Sequence, residues 1–303
     1  MRAHVALLFA NLFWGVMSPI SKSLLMQGAI SPLALSAIRI GGGALLFLIC
    51  SLVLPPSVAP REKVDFRRDL WKIAIASVLM ISANQGLFIL GIGYTSPIDS
   101  SVMSSLTPMI TMIMAAIILR YPITRLKFLG VVLGLAGVVM LVAGGNDSEQ
   151  VASNALLGDS LCLGAQICAA LYYVMFSGLI KRYAPFTLMK WMFYISAVTY
   201  VPFCIPEVMN IPIESLSEAD FLSIAYIILF ATCFAYLTLP YAQKRLKPTV
   251  VSIYNYFQPL FAAIVAVWLG VGEFGPIKMA ATALIFTGVW FVNNNSAGRR
   301  TSA

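Results

Sequence analysis

Charge is scarce in this chain. Of its 303 residues 11% are charged and 60% hydrophobic, whereas a soluble globular chain runs nearer ~25% charged and ~45–50% apolar. A soluble fold of this size needs a polar exterior that this composition cannot supply. An integral membrane protein does not need one, because its lipid-facing surface can stay apolar. Histidine is almost missing: His4 stands alone, which removes HExxH zinc chemistry and most histidine-dependent catalysis. Five cysteines (Cys50, Cys162, Cys168, Cys204, Cys233) lie in or at the ends of apolar segments and form no CxxC pair. Neither a zinc site nor a disulfide framework is expected, and no cofactor is implied. No stretch alternates with period two over ~10 residues, which excludes an outer-membrane barrel.

Apolar length is what the chain has instead. A helix crosses the hydrocarbon core with ~20 apolar residues at ~1.5 Å per residue. That ruler marks spans near 5–26, 32–54, 70–92, 97–119 and 126–143, then near 155–179, 186–206, 219–241, 248–270 and 277–293. The first run begins near Val5, carries Asn11, Trp14 and Lys22 and lacks a small-residue cleavage site. It is read as a retained helix rather than a removed signal peptide. The net charge of +8 would suggest nucleic acid if the basic residues formed a patch on a folded surface. They sit in short clusters between apolar runs, so the expected partners are a lipid bilayer and a small-molecule substrate, with no nucleic acid.

Those clusters set an orientation. Arg2 precedes the first span, and Arg61, Lys63, Arg67, Arg68 and Lys72 lie between or beside spans two and three. Arg120, Arg125 and Lys127 join spans four and five, and Lys181 and Arg182 join six and seven. Lys244, Arg245 and Lys247 follow span eight, and Arg299 and Arg300 follow span ten. The alternate loops hold Asp147, Glu149, Glu207, Glu214, Glu218, Asp220 and Glu273, with Lys278 the one basic exception. Basic loops stay cytoplasmic. Ten crossings with both termini cytoplasmic satisfy the pattern, in what is expected to be a bacterial inner (plasma) membrane.

The two halves also resemble each other. A shift of 151 residues superposes them without a gap from 55 to 138. Pro55 meets Pro206, Asp69 meets Asp220, Pro97 meets Pro248, Ser101 meets Ser252, Pro108 meets Pro259 and Gly137-Val138 meets Gly288-Val289. The basic loop at 61–68 is matched by the acidic loop at 207–218. Equivalent loops thus fall on opposite sides, as they do when a unit with an odd number of crossings is duplicated. The expected fold is all-α and integral to the membrane: ten transmembrane helices as two inverted five-helix repeats, 1–143 and 155–293, around a central cavity. Residues 294–303 form a cytoplasmic tail.

The residues resemble the EamA-type members of the drug/metabolite transporter superfamily. Helix 1 reads Phe13-Trp14-Gly15-Val16-Met17-Ser18-Pro19-Ile20-Ser21-Lys22, similar to the family's Trp-Gly opening with a lysine eight residues after the tryptophan. Arg39 follows Ser31-Pro32 at the family's spacing. Tyr94-Thr95-Ser96-Pro97 and Leu106-Thr107-Pro108 look like its helix 3–4 corner and helix 4 proline. Gln258-Pro259 and Leu269-Gly270-Val271-Gly272-Glu273 fit the helix 9 proline and the acidic turn after it. Arg120-Tyr121-Pro122 departs from the acidic turn usual in the first copy, and Ala169-Ala170 stands where helix 6 would repeat Trp-Gly. The resemblance implies two inverted five-helix repeats, a cavity between them, and export or exchange of metabolites.

Candidate substrate-binding residues are the polar and aromatic groups inside these spans. Lys22 and Arg39 are charges well inside helices 1 and 2, and a charge at that depth is unfavourable by ~2.5–3.5 kcal/mol on insertion scales. Each therefore faces water, a partner or a ligand, and the alternative for Lys22 is snorkelling to the headgroups. If both face the cavity, the substrate carries an anionic group. Asn84 and Gln85 in helix 3, and Asn255 and Gln258 in helix 9, must point inward, as helix–helix ties or substrate contacts. Tyr172, Tyr173, Tyr236, Tyr254 and Trp14 offer rings with a polar tip, for a cavity wall or for packing. Ser18 and Ser105 complete the set, with Ser104 beside them.

Pro19, Pro108 and Pro259 break the hydrogen-bond ladder and are candidate hinges, or kinks of structural use alone. Asp99 reads as part of a helix start with Ser96 at the cap and Pro97 first. Asp159 lies about a turn into helix 6, near outer water. Gly130 and Gly134, and the run Gly41-Gly42-Gly43, permit close packing, within one chain or in a homodimer; the protein is expected to be a monomer or a homodimer.

These readings favour a secondary transporter working by alternating access, an exporter of amino acids or related solutes. An exchanger or importer of sugar- or nucleotide-linked metabolites is the alternative. An intramembrane enzyme would need a His pair, Ser/His couple or paired Asp motif that the helices lack. A passive channel would need charge rings or a filter-like repeat, also missing.

Overall fold

The computed structural model describes residues 2–294 apart from 58, 61, 121–123, 144–151, 244, 246–253, 256, 273 and 274. Among the described residues all regular structure is helical. α1 (Arg2–Met26) keeps Pro19 inside an unbroken helix. α2 (Pro32–Val53) starts at a Ser31 cap with proline in its first turn, where a missing N–H costs nothing. α3 (Phe66–Tyr94) is one span interrupted by a π segment, Val78–Ala83. α4 (Pro97–Leu119) starts at a Ser96 cap and breaks at Ser105-Leu106, between Pro97–Ser104 and Thr107–Leu119. α5 covers Arg125–Ala143.

The second half follows the same plan. α6 (Ala155–Met175) is capped by Asn154 and ends earlier than expected, giving way to a short helix, Ser177–Arg182. α7 is Pro185–Met209. α8 joins Glu218–Tyr226, a π segment Ile227–Phe234 and Ala235–Gln243, and begins in a reciprocal Ser217–Asp220 capping box. α9 (Phe257–Trp268) and α10 (Pro276–Asn294) complete the order. Much of the start of the expected span 248–270 lies outside the described residues, as do Lys244, Lys247, Pro248, Ser252, Glu273 and nearly all of the tail 294–303. Among the described residues seven helices are long and apolar enough to cross a membrane, namely α1 to α4 and α6 to α8, with shorter apolar helices in α9 and α10. The chain is an integral membrane protein.

Packing relates the halves pair by pair. α3 packs on α6, and α8 on α1; α4 packs on α6, and α9 on α1; α2 meets the π segment of α8, and α7 meets the start of α3. α2–α7, α4–α9 and α5–α10 are themselves neighbours. Exchanging α1–α5 with α6–α10 in order turns this set of contacts into itself. The two π segments obey the same exchange, as do Asp69 and Asp220, each buried in the first turn of its helix. Asp69 reaches Arg182 beyond α6, and Asp220 reaches Gln27 beyond α1.

The α5–α10 contact shows the relation at atomic scale. A Cβ on Gly137 would stand 2.8 Å from Ala281 O and 3.0 Å from Ile285 N, while one on Gly288 would stand 2.6 Å from Gly134 N and collide with Gly130 O. Backbones this close need glycine. The Gly130/Gly134 step is therefore used within one chain.

Two acidic residues sit differently from expectation. Asp159 is buried rather than near water, and accepts the Thr95 hydroxyl at 2.7 Å. Asp99 has the expected cap, its N–H donating to Ser96 Oγ at 3.1 Å, but its carboxylate also pairs with Lys278 at 3.2 Å.

Candidate functional site

The site is built where α2 crosses α8. A Cβ on Gly42 would lie 2.7 Å from Ile228, and one on Gly43 would lie 2.7 Å from Phe193, so glycine lets α2 approach the π segment. Arg39 lies one turn before them, buried, and its Nε donates to Thr232 Oγ1 at 2.9 Å. Its Nη2 donates to Ala231 O at 3.4 Å. The same carbonyl accepts Trp14 Nε1 at 2.9 Å. A π segment disturbs the regular ladder and leaves such a carbonyl open to side chains, while Thr232 Oγ1 itself donates to Ile227 O at 2.9 Å.

Among the described residues the hydrogen-bond partners of Arg39 are neutral. Among the described residues the ion pairs use Lys72, Arg182 and Lys278, not Arg39. A buried guanidinium without a counter-charge is costly and electrostatically suited to an anion.

Near it, among the described residues, stand buried polar groups whose hydrogen-bonding capacity is not filled. Gln85 is 1% exposed; its amide faces the Tyr236 phenol, and among the described residues neither amide atom makes a well-formed hydrogen bond. The Tyr172 hydroxyl, on a residue 2% exposed, has no hydrogen-bond partner among the described residues. Tyr236 connects them: its phenol faces the Gln85 amide at hydrogen-bonding range, and Arg39 and Tyr172 lie within electrostatic reach of it. Tyr236 also packs edge-on against Trp14 at 5.7 Å and Phe193 at 5.6 Å, and Tyr173 stands 5.4 Å from Tyr172. Unmet buried polar atoms cost ~1–3 kcal/mol each, so these groups are suited to a polar occupant.

Trp14, Arg39, Gln85, Tyr172, Tyr173 and Tyr236 thus come together, and the other candidates lie elsewhere. Lys22 donates to Ile92 O and Gly93 O, both at 3.0 Å. These carbonyls belong to the last turn of α3, where a cation meets the negative end of the helix dipole. From Gln85 to Ile92 is about 10 Å along α3, so Lys22 sits away from Arg39. Ser18 accepts from Ser101 at 3.2 Å. Asn84 Nδ2 donates to Ala165 O at 2.7 Å, tying α3 to α6. Gln258 Nε2 donates to Asn11 Oδ1 at 2.6 Å, tying α9 to α1.

Ser105 lies at the α4 break, its hydroxyl 3.5 Å from Asn255 O, and Tyr254 meets His4 at 3.0 Å. Pro108 follows the break in α4 and Pro259 begins α9 at the position related to it by the repeat. Thr232, which holds Arg39, was not among the sequence candidates; a hydroxyl inside the apolar run Ile227–Phe234 was the available signal.

The family's model matches twice, over residues 1–143 and 156–294, under the description EamA-like transporter family. The chain belongs to the EamA-like transporter family. An uncharacterized transporter of Bacillus subtilis, YyaM, is 23% identical over 91% of this chain and 87% of its own. A probable terminal-alkyne amino-acid exporter of Streptantibioticus cattleyicolor is 24% identical, covering 78% of this chain and 77% of its own. A crystal structure covers 99% of both chains with a TM-score of 0.65 at 18% identity, a likeness of fold alone. This EamA chain is a membrane transporter of the drug/metabolite superfamily; the family and these relatives are transporters, not enzymes.

Proposed function

We propose that the chain is a secondary transporter that moves small organic metabolites by alternating access, and that it exports amino acids or related solutes. The exchange relation among its helix contacts carries this reading. Two five-helix repeats of opposite orientation, packed so that the main contacts between them have counterparts, have two equivalent ways to tilt about a shared site. Arg39, Gln85 and Trp14 come from the first repeat, Tyr172, Tyr173 and Tyr236 from the second, and a central cavity between them would hold the substrate. A cleft lined by Pro60, Ala184, Pro185, Phe186, Leu237 and Tyr241 opens where the start of α7 meets α8.

Lys22, Ser18, Asn84, Ser105, Tyr254, Asn255 and Gln258 would frame the cavity, with Pro19, Pro108 and Pro259 as hinges. The alternation of basic and acidic loops supports ten crossings with both termini cytoplasmic in a bacterial inner membrane. The relative named as a probable amino-acid exporter favours that solute class. Proteoliposomes preloaded with unlabelled amino acids test the reading: saturable counterflow of the labelled solute is expected. A non-saturating ohmic current, or conversion of the solute to a product, would contradict it.

A further inference from the structure

We infer that Arg39 anchors the carboxylate of an apolar monocarboxylate, and that the site recognises this group whether or not the substrate also carries an α-amino group. The inference rests on the transporter reading for its purpose but not for its chemistry. A guanidinium presents five N–H donors in a planar fork that matches a carboxylate. Arg39 uses its Nε toward Thr232 and one long contact from Nη2 toward Ala231 O. Among the described residues no other acceptor lies within hydrogen-bond distance of the fork. Its two contacts fix the plane of the group without neutralising it.

The surroundings narrow the ligand. The described carboxylates are occupied or placed elsewhere: Asp69 with Arg182 and Lys72, Asp99 with Lys278, Asp159 with Thr95, Glu207 with Ser31 and Asp220 with Gln27. Glu62 caps Ala184 N, Asp65 caps its own helix, and Glu214 and Glu218 are exposed. None stands beside Arg39 to receive an ammonium group. The buried amide of Gln85, which faces only the Tyr236 phenol, and the buried phenol of Tyr172, without a hydrogen-bond partner among the described residues, can instead donate to a carboxylate or accept from a neutral hydroxyl. The rings of Trp14 and Phe193, packed edge-on against Tyr236, make the surroundings apolar and suit an apolar remainder of the ligand. A carboxylate neutralises the buried charge, whereas a carboxamide of the same shape leaves it unpaired. Recognition built on a buried charge discriminates steeply against a ligand that lacks the partner.

Purified protein in detergent, titrated with leucine, with its 2-oxo acid analogue 4-methyl-2-oxopentanoate, and with leucinamide, tests the site by thermal shift and intrinsic tryptophan fluorescence. Leucine and the 2-oxo acid should both stabilise the wild type, and leucinamide should bind roughly thirtyfold more weakly or not at all. Arg39→Gln should abolish the stabilisation by both acids, Arg39→Lys should retain part of it, and Gln85→Leu should weaken it while leaving carboxylate preferred over carboxamide. Leucinamide binding as well as leucine, neither acid stabilising the wild type, or a 2-oxo acid rejected while leucine binds would each overturn the inference. The wild-type comparison stands even if Arg39→Gln fails to fold. Binding without counterflow in proteoliposomes would leave the carboxylate site intact and remove the transport reading instead.

Discussion

Lys278 of α10 and Asp99 of α4 meet at 3.2 Å with side chains only 5% and 2% exposed. Lys278 also donates to Ser96 Oγ at 3.1 Å, the group that caps α4. Lys278, the basic exception among the alternate loops of the sequence, is therefore paired with a carboxylate inside the protein. Removing one partner of a buried pair costs far more than removing both. Lys278→Met should destabilise by about 3–5 kcal/mol, read as a lowered thermal midpoint in detergent. Adding Asp99→Asn should recover much of that loss. An unchanged midpoint for the single variant would show that the pair bears no stability.

At the opposite end Tyr183 donates to Asp69 Oδ2 at 2.8 Å, beside the Arg182 and Lys72 contacts. Burial first, then this hydrogen bond, pushes the Tyr183 phenol above its ordinary pKa. A group with a raised folded pKa stabilises fully below its unfolded value, ~10 for tyrosine, and loses that contribution as pH rises through the folded value. Tyr183→Phe should thus cost about 1.5–3 kcal/mol near neutral pH, with the gap to wild type closing above ~pH 10. Thermal unfolding across pH measures it; an undiminished gap at high alkalinity would contradict the assignment.

The α5–α10 contact predicts a contrast between two glycines. Gly288→Ala places a methyl group against the α5 backbone, whereas Gly178→Ala meets nothing within 4 Å. The first should destabilise by about 1–3 kcal/mol through overpacking, and the second should leave the melting curve within error of wild type. Equal effects would mean that α5 and α10 are not in close contact.

Gln258→Leu should strand the buried Asn11 oxygen that now accepts at 2.6 Å. The expected cost is about 1–3 kcal/mol, recovered in part by pairing it with Asn11→Leu. A double-mutant cycle on thermal stability measures the coupling, and strictly additive effects would refute the contact.

Much of the fold was legible because apolar length, capping residues and loop charge act locally. α2 and α4 begin at Ser31-Pro32 and Ser96-Pro97 as their dipeptides require, and α5 and α10 end close to the expected limits. The π segments were not legible. One extra residue in a helical turn leaves composition unchanged, and it persists because neighbouring helices hold it. The candidate site was legible in kind but not in arrangement. Arg39 and Lys22 carry the same charge at similar depth, yet one faces only neutral hydroxyl and carbonyl groups at a helix crossing while the other holds the carbonyl end of α3.

By itself the sequence determined that this chain lives in a membrane, where helices such as α2, α4 and α6 begin, and that its halves match with reversed loop charge. Those properties follow from residues close together in the chain. Only the tertiary structure decided which buried polar groups spend their hydrogen bonds on another helix, as Asn84 and Gln258 do, and which have no hydrogen-bond partner among the described residues, as the Tyr172 hydroxyl has none. The reason is geometric: a donor at the end of a side chain is satisfied by whatever stands within about 3 Å of it, and that neighbour usually comes from a distant part of the chain.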